Sequence, residues 1–157
     1  MRRRAGPLLM TAQNRQDGVS PARACILVVE DNALNRLLVH DLLELRGHHV
    51  IEAATVEEAR RALDVQRPDL MLLDVQIPGG GAEAVIRDAR RRPGFEAIPM
   101  VAVTSLAMPG DRERLLGSGF QGYMSKPIDT RTFGAIIESF LERGGQMEEP
   151  KRVSRAG

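Results

Sequence analysis

Three carboxylates, a hydroxyl and one ammonium group close four apolar runs of this chain. Glu30-Asp31 follows Cys25-Ile26-Leu27-Val28-Val29, and Asp74 follows Leu70-Met71-Leu72-Leu73 ahead of a turn at Pro78. Thr104 follows Met100-Val101-Ala102-Val103, and Lys126-Pro127 follows an apolar run that ends near Met124. Carboxylates that converge without a cation repel one another, so a bound metal or raised pKa values must relieve them. The metal is the simpler reading. Mg²⁺ is a hard ion that takes one or two carboxylates, waters and phosphate oxygens. Glu30, Asp31 and Asp74 suit it, with Asp31 serving chiefly as a metal ligand and Glu30 acting through a bound water.

One carboxylate is left to react. A carboxylate oxygen can attack a phosphoryl group and form an acyl phosphate. Asp74 stands alone at a strand end beside a turn that leaves room in front, so it is the better candidate for the nucleophile. Lys126 supplies a point charge to one phosphoryl oxygen and Thr104 a hydrogen bond to another. His40, His48 and His49 lie on a helix and the turn after it, away from these strand ends, and are assigned structural or solvated roles. Gly79-Gly80-Gly81 lacks the Lys-Ser/Thr that a phosphate-binding P-loop requires. Arg87, Arg90, Arg91 and Arg92 read as a solvated helix face.

The elements that hold these groups alternate strand and helix from Ala24 to Arg143. Strands are expected at Cys25–Val29, His49–Ala53, Leu70–Leu73, Met100–Val103 and Phe120–Met124. The first helix is capped by Asn32, shows Leu34, Leu37, Leu38, Leu42 and Leu45 on one face, and stops at Gly47. Thr55-Val56-Glu57-Glu58 is a capping box opening a helix to about Gln66, which Pro68 breaks. The third helix runs from Ala82 to Arg92. A short fourth starts at Pro109 and ends near Leu116. Asp129 caps the last, which carries Phe133, Ile136, Ile137, Phe140 and Leu141 on one stripe. The fold class is therefore α/β, a five-stranded parallel sheet covered on both faces. In such sheets ligands bind beyond the carboxyl ends of the strands, where the polar groups stand.

The chain has 157 residues, enough for one domain and its core. A net charge of +1 hides an asymmetry: residues 1–23 carry +4, residues 24–143 carry −4 and residues 144–157 carry +1. We expect a disordered basic leader over 1–23, a folded domain over 24–143 and a disordered polar tail over 144–157. Met10 is an alternative start. An acidic domain argues against a nucleic-acid surface. No apolar stretch approaches the ~20 residues that span a bilayer. Pro7-Leu8-Leu9-Met10 is too short for a signal-peptide core. A cytoplasmic protein with no membrane insertion is expected. The single cysteine, Cys25, lies in a strand and is expected to be a buried thiol.

In Val28-Val29-Glu30-Asp31-Asn32, Leu72-Leu73-Asp74-Val75-Gln76-Ile77-Pro78, Ala102-Val103-Thr104-Ser105 and Gly122-Tyr123-Met124-Ser125-Lys126-Pro127, the chain closely resembles the CheY-like receiver domains of two-component response regulators. The resemblance implies a flavodoxin-like (βα)5 fold with strand order 2-1-3-4-5. It also implies that Asp74 accepts phosphate from a phosphohistidine on a sensor histidine kinase or histidine phosphotransfer protein. Asp31, Asp74 and the Gln76 backbone carbonyl would ligate Mg²⁺, with Glu30 in the acidic pocket. Thr104 and Lys126 would contact the phosphoryl group, and the Lys126–Pro127 bond would be cis. Tyr123 resembles the aromatic switch residue that turns inward as Thr104 moves, altering partner binding on the helix 4, strand 5, helix 5 face. With no output domain after the last helix, the chain looks like a stand-alone receiver, most like the DivK type. Those are cell-cycle and polarity regulators that bind histidine kinases, so a downstream kinase target is implied. The family usually has Gly where this chain has Ala82, which leaves the loop before helix three open.

Two other readings share the fold. A phosphate shuttle or sink would pass phosphate from Asp74 to another histidine. A Mg²⁺-dependent phosphatase of haloacid-dehalogenase type needs a second acid two residues after its nucleophile, and Gln76 cannot serve. On the receiver reading the protein is not an enzyme, and catalyses only its own aspartyl phosphorylation and dephosphorylation. Gln76 and Leu106 lie near the path of an attacking water and would tune the lifetime of the phosphate. No helix-turn-helix segment supports a transcription factor.

Overall fold

The computed structural model describes residues 23–105, 110–143 and 152–153. Their elements alternate as β1 (Cys25–Val29), α1 (Ala33–Leu45), β2 (His49–Ala53), α2 (Val56–Val65), β3 (Leu70–Asp74), α3 (Gly81–Arg90), β4 (Met100–Thr104), α4 (Asp111–Gly117), β5 (Gly122–Ser125), α5 (Phe133–Arg143) and β6 (Arg152–Val153). The sheet is parallel in the order β2-β1-β3-β4-β5-β6. The expected five strands and their order are present. The two-residue β6, from the segment expected as a disordered tail, adds to the β5 edge. The leader, the rest of that tail and Leu106–Pro109 lie outside the described residues.

Strand alternation divides the core between two layers. Leu27, Val29, Met71, Leu73, Met100 and Ala102 face α2, α3 and α4. Ile26, Val28, Leu70, Leu72, Val101 and Val103 face α1 and α5 through Val39, Leu43, Phe133, Ile137 and Phe140. Because β1, β3 and β4 are buried on both sides, their sequences are apolar throughout except for the terminal Asp74 of β3 and Thr104 of β4. Cys25 is buried as expected, and burial pushes its thiol pKa up.

Local chemistry sets the boundaries. Asn32 caps α1 by accepting from Asn35 N at 2.9 Å. Thr55 Oγ1 accepts from Glu58 N at 3.1 Å, while Glu58 Oε1 accepts from Ala54 N at 2.7 Å, one residue before the cap. Gly79, Gly80 and Gly81 all have positive φ, a conformation that glycine adopts freely, and deliver a buried Ala82 into α3. Asp129 opens the turn that leads into α5: its Oδ1 accepts from Arg131 N at 3.0 Å and its carbonyl from Thr132 N and Phe133 N, and the helix itself begins at Phe133. Strand β5 begins at Gly122 rather than Phe120, whose ring sinks into the layer under α4.

Two expectations about helix faces are corrected. Helix α1 docks through Val39 and Leu43, with the expected Leu42 partly buried beside them, leaving Leu34 77% and Leu45 83% exposed and Leu37 and Leu38 also exposed. Apolar residues occupy more than one line along this helix, so periodicity alone could not choose the buried one. Arg90 and Arg92 are not solvated decoration. Arg90 Nη1 donates to the Phe95 and Glu96 carbonyls at 3.0 and 2.9 Å, and Arg92 binds Asp64 and Asp88 at 2.7 Å each.

A polar knot built on the buried His48 and Glu138 ties α5 to the end of α1. Arg46 Nε and Nη2 donate to the two Glu138 oxygens at 2.9 Å each. Ala24 N donates to His48 Nδ1 at 3.2 Å, which leaves the ring proton on Nε2, 3.0 Å from Glu138 Oε2. Gly134 makes the reach possible, since a Cβ there would collide with Arg46 Cδ. The Arg46 guanidinium, against the opposing effect of burial and with help from His48, holds the Glu138 carboxyl below the usual range. Such a group stabilises the fold above its unfolded pKa, near 4.3 or so, and loses that contribution as pH falls through the folded value. The urea midpoints of wild type and Glu138→Gln are therefore expected to differ most at neutral pH and to converge as pH drops below about 4.5. A constant gap would show that the charge on Glu138 does not matter.

Candidate functional site

The parallel register brings four strand ends to one edge. Val29 pairs with Leu73, Asp74 with Val103 and Thr104 with Ser125. Glu30, Asp74, Thr104 and Lys126 therefore meet. Backbone bonds lock the junctions: Glu30 N donates to Ala53 O at 3.0 Å, Val75 N to Val103 O at 3.2 Å, and Lys126 N to Thr104 O at 2.9 Å. The Lys126–Pro127 bond is cis.

Ligand atoms of Glu30, Asp31 and Asp74 all lie within 4.8 Å of one another. Glu30 is 5% and Asp74 8% exposed, while Asp31 opens to solvent. Lys126 Nζ stands between the two buried carboxylates, 3.1 Å from Glu30 Oε1 and 3.0 Å from Asp74 Oδ2. Asp74 Oδ1 accepts from Gln76 N at 3.0 Å, and Glu30 Oε2 from Asn32 N at 3.0 Å. Burial pushes the Glu30 carboxyl up against the pull of Asn32 N–H and Lys126. For Lys126 burial disfavours the charge, but its bonds to Asp74 and Glu30 prevail and its pKa rises. One ammonium thus neutralises only part of three converging carboxylates. Three oxygen donors with residual negative charge and one open side are what a hard divalent cation fits.

The structure brings together Glu30, Asp31, Asp74 and Lys126, with Thr104 buried at the neighbouring strand end and the Gln76 backbone at the acceptor. Tyr123 lies on β5 three residues before Lys126, opposite Ala102, and packs partly buried against the α4 layer. Leu106 lies outside the described residues. Sequence reading missed Arg36, whose Nη1 donates to the Glu30 carbonyl at 2.8 Å and fixes the acidic turn. Its one signal was an arginine in the first turns after the acid pair.

A cleft of about 400 Å³ opens beside Asp74. Lys126 and Glu30 edge it, and Val28, Leu38, Val39, Leu72, Val103 and Ile128 make its apolar wall. Leu38 of α1 carries that wall to the surface, and Leu34 and Leu37 of the same helix are also exposed.

Comparison with known proteins converges on one family. The response regulator receiver domain matches residues 26–138. The polar-differentiation response regulator DivK of Brucella anthropi is 38% identical over 116 residues, 74% of this chain and 94% of that protein. DivK of Brucella abortus is 37% identical over the same shares. Among solved structures, the receiver domain of a sensor histidine kinase from Pseudomonas aeruginosa, with a magnesium ion coordinated in its active site cleft, superposes with a TM-score of 0.70. It is 30% identical and covers 77% of this chain and 99% of its own. The chemotaxis response regulator CheY4 of Vibrio cholerae shares the fold at 23% identity, TM-score 0.71, covering 76% of this chain and 99% of its own.

Proposed function

The chain belongs to the response regulator receiver domain family, and from that premise we propose that it is a DivK-like cytoplasmic switch. In this reading it takes a phosphoryl group from a phosphohistidine onto Asp74. The observation that carries the reading is the buried Asp74 carboxylate at a central strand tip, held by Lys126 at 3.0 Å beside two further carboxylates.

Asp31, Asp74 and the Gln76 carbonyl would hold Mg²⁺, with Glu30 reaching it through water. When bound, the ion supplies charge neutralisation to the phosphoryl oxygens. An Asp74 carboxylate oxygen attacks phosphorus in line. The P–N bond to the partner's imidazole breaks, its electron pair returns to the ring nitrogen, and an acyl phosphate remains on Asp74. Lys126 releases Asp74 Oδ2 to meet a phosphoryl oxygen, and the Thr104 hydroxyl meets another. Movement of Thr104 toward the phosphate draws Tyr123 inward, and the surface of α4, β5 and α5 changes its affinity for a downstream protein, a second histidine kinase by analogy with DivK.

In this reading the phosphohistidine partner docks over α1, because Leu38 lines the Asp74 cleft and Leu34 and Leu37 stand exposed on the same helix. Leu37→Glu is expected to slow transfer from a phosphorylated phosphotransfer protein at least about tenfold, since one desolvated charge costs more than 1.4 kcal/mol. Labelling by acetyl phosphate, which needs no docking, should be unchanged. Equal slowing with both donors would place the defect inside the site.

Intact-mass measurement after incubation with acetyl phosphate tests the function. A single Mg²⁺-dependent, hydroxylamine-labile phosphate adduct should map to the peptide containing Asp74. An adduct on another residue, or one indifferent to Mg²⁺, overturns the assignment.

A further inference from the structure

We propose that His40, Asp41 and Glu44 on the outer side of α1, backed by Glu52 of β2, form a second cation site, one that takes a borderline transition metal such as Zn²⁺. The three residues place ligand atoms within 4.8 Å of one another. His40 and Glu44 stand one helical turn apart and share a face. His40 Nε2 lies 3.3 Å from Glu44 Oε2. That separation is the ligand-to-ligand edge of a tetrahedron with metal bonds of about 2.0–2.1 Å.

The far side of the imidazole is equally specific. His40 Nδ1 is closed off from solvent and has Glu52 Oε2 2.6 Å away, an ion-pair approach without the alignment of a hydrogen bond. Glu52 is in turn fixed through its other oxygen by Arg36 Nε at 3.1 Å. A carboxylate behind the second ring nitrogen is the support that metal-ligating histidines take, because it orients the ring and raises its basicity. The metal-free arrangement squeezes one imidazole between two carboxylates, with a third beside it and one guanidinium to offset them. A cation at Nε2 would relieve that crowding.

Donor type separates this site from the one at Asp74. The strand-end site offers oxygen alone, the preference of Mg²⁺. The α1 site adds an imidazole nitrogen, which selects zinc, copper or nickel. Three protein ligands with Asp41 and Glu44 exposed leave a fourth position open to water or to a group from another molecule.

Zinc titration calorimetry on the full chain, in saturating Mg²⁺ so that the strand-end site is filled, tests the proposal. One equivalent of Zn²⁺ should bind, with affinity reduced at least about tenfold by His40→Ala and by Glu44→Gln, and about 10- to 100-fold by Glu52→Gln. Co²⁺ should give a visible tetrahedral absorption that His40→Ala abolishes. Circular dichroism and acetyl phosphate labelling of each variant should match wild type, which excludes a folding defect. Absence of zinc binding in Mg²⁺-saturated protein, or affinity unchanged in His40→Ala, overturns the site.

Discussion

Asp74→Asn is expected to reduce phosphate incorporation from acetyl phosphate to background while leaving the fold intact. A carboxamide oxygen cannot attack phosphorus to form a stable acyl phosphate, so the loss should be complete. The fold should survive for local reasons. The Asn carbonyl can still accept from Gln76 N, as Asp74 Oδ1 does at 3.0 Å, and Lys126 keeps its contact with Glu30 at 3.1 Å. Removing one of three crowded carboxylates also lowers their mutual repulsion, so thermal stability without Mg²⁺ should equal or exceed that of wild type. Intact mass with a melting curve on the same sample reads both outcomes. A hydroxylamine-labile adduct persisting in the variant would move the acceptor elsewhere.

Lys126→Met is the second large effect, and it should separate catalysis from stability. The ammonium stabilises charge developing on the phosphoryl oxygens, and removing one such preorganised donor costs on the order of 10²–10³ in rate. The same ammonium bridges Glu30 and Asp74 before any phosphate arrives. With methionine there, two buried carboxylates face one another uncompensated, so the metal-free variant should melt below wild type. Mg²⁺ then takes over part of the lysine's charge, and the Mg²⁺-induced rise in Tm should be larger in the variant than in wild type. Wild-type labelling kinetics in Lys126→Met would remove the lysine from the reaction. An unchanged Tm would mean that the bridge contributes nothing to the fold.

The strand ends were legible because buried parallel strands are written as unbroken apolar runs, and Val29, Leu73 and Val103 each meet a polar group where the run stops. Topology then places those stops on one edge without any knowledge of contacts. What sequence could not supply was the choice among competing lines on a helix. The leucines of α1 form the conspicuous stripe, yet the layer between α1 and α5 has room for Val39 and Leu43. Nor could spacing reveal which arginines serve structure. Arg90 meets carbonyls in the loop after its own helix, and Arg92 meets Asp64 on a different helix. Such contacts depend on how loops and neighbouring helices close, which carries no period. The Glu138 knot joins residues 90 or more positions apart and is invisible until the two layers are assembled.

The layer shared by α1 and α5 has a consequence for how the chain is made. One wall, Val39 and Leu43, is among the first parts of the domain to leave the ribosome, and the other, Phe133, Ile137 and Phe140, is the last. At roughly 5–20 residues per second, the α5-facing surface of β1, β3 and β4 stays without its final cover for several seconds of synthesis. The layer holding α2, α3 and α4 needs no such wait, since its helices follow their strands directly. Nascent chains halted before Phe133 are thus expected to bind hydrophobic dyes and to recruit holding chaperones, and release of α5 should end both. Vectorial synthesis makes α5 the clasp that completes a half-built sheet.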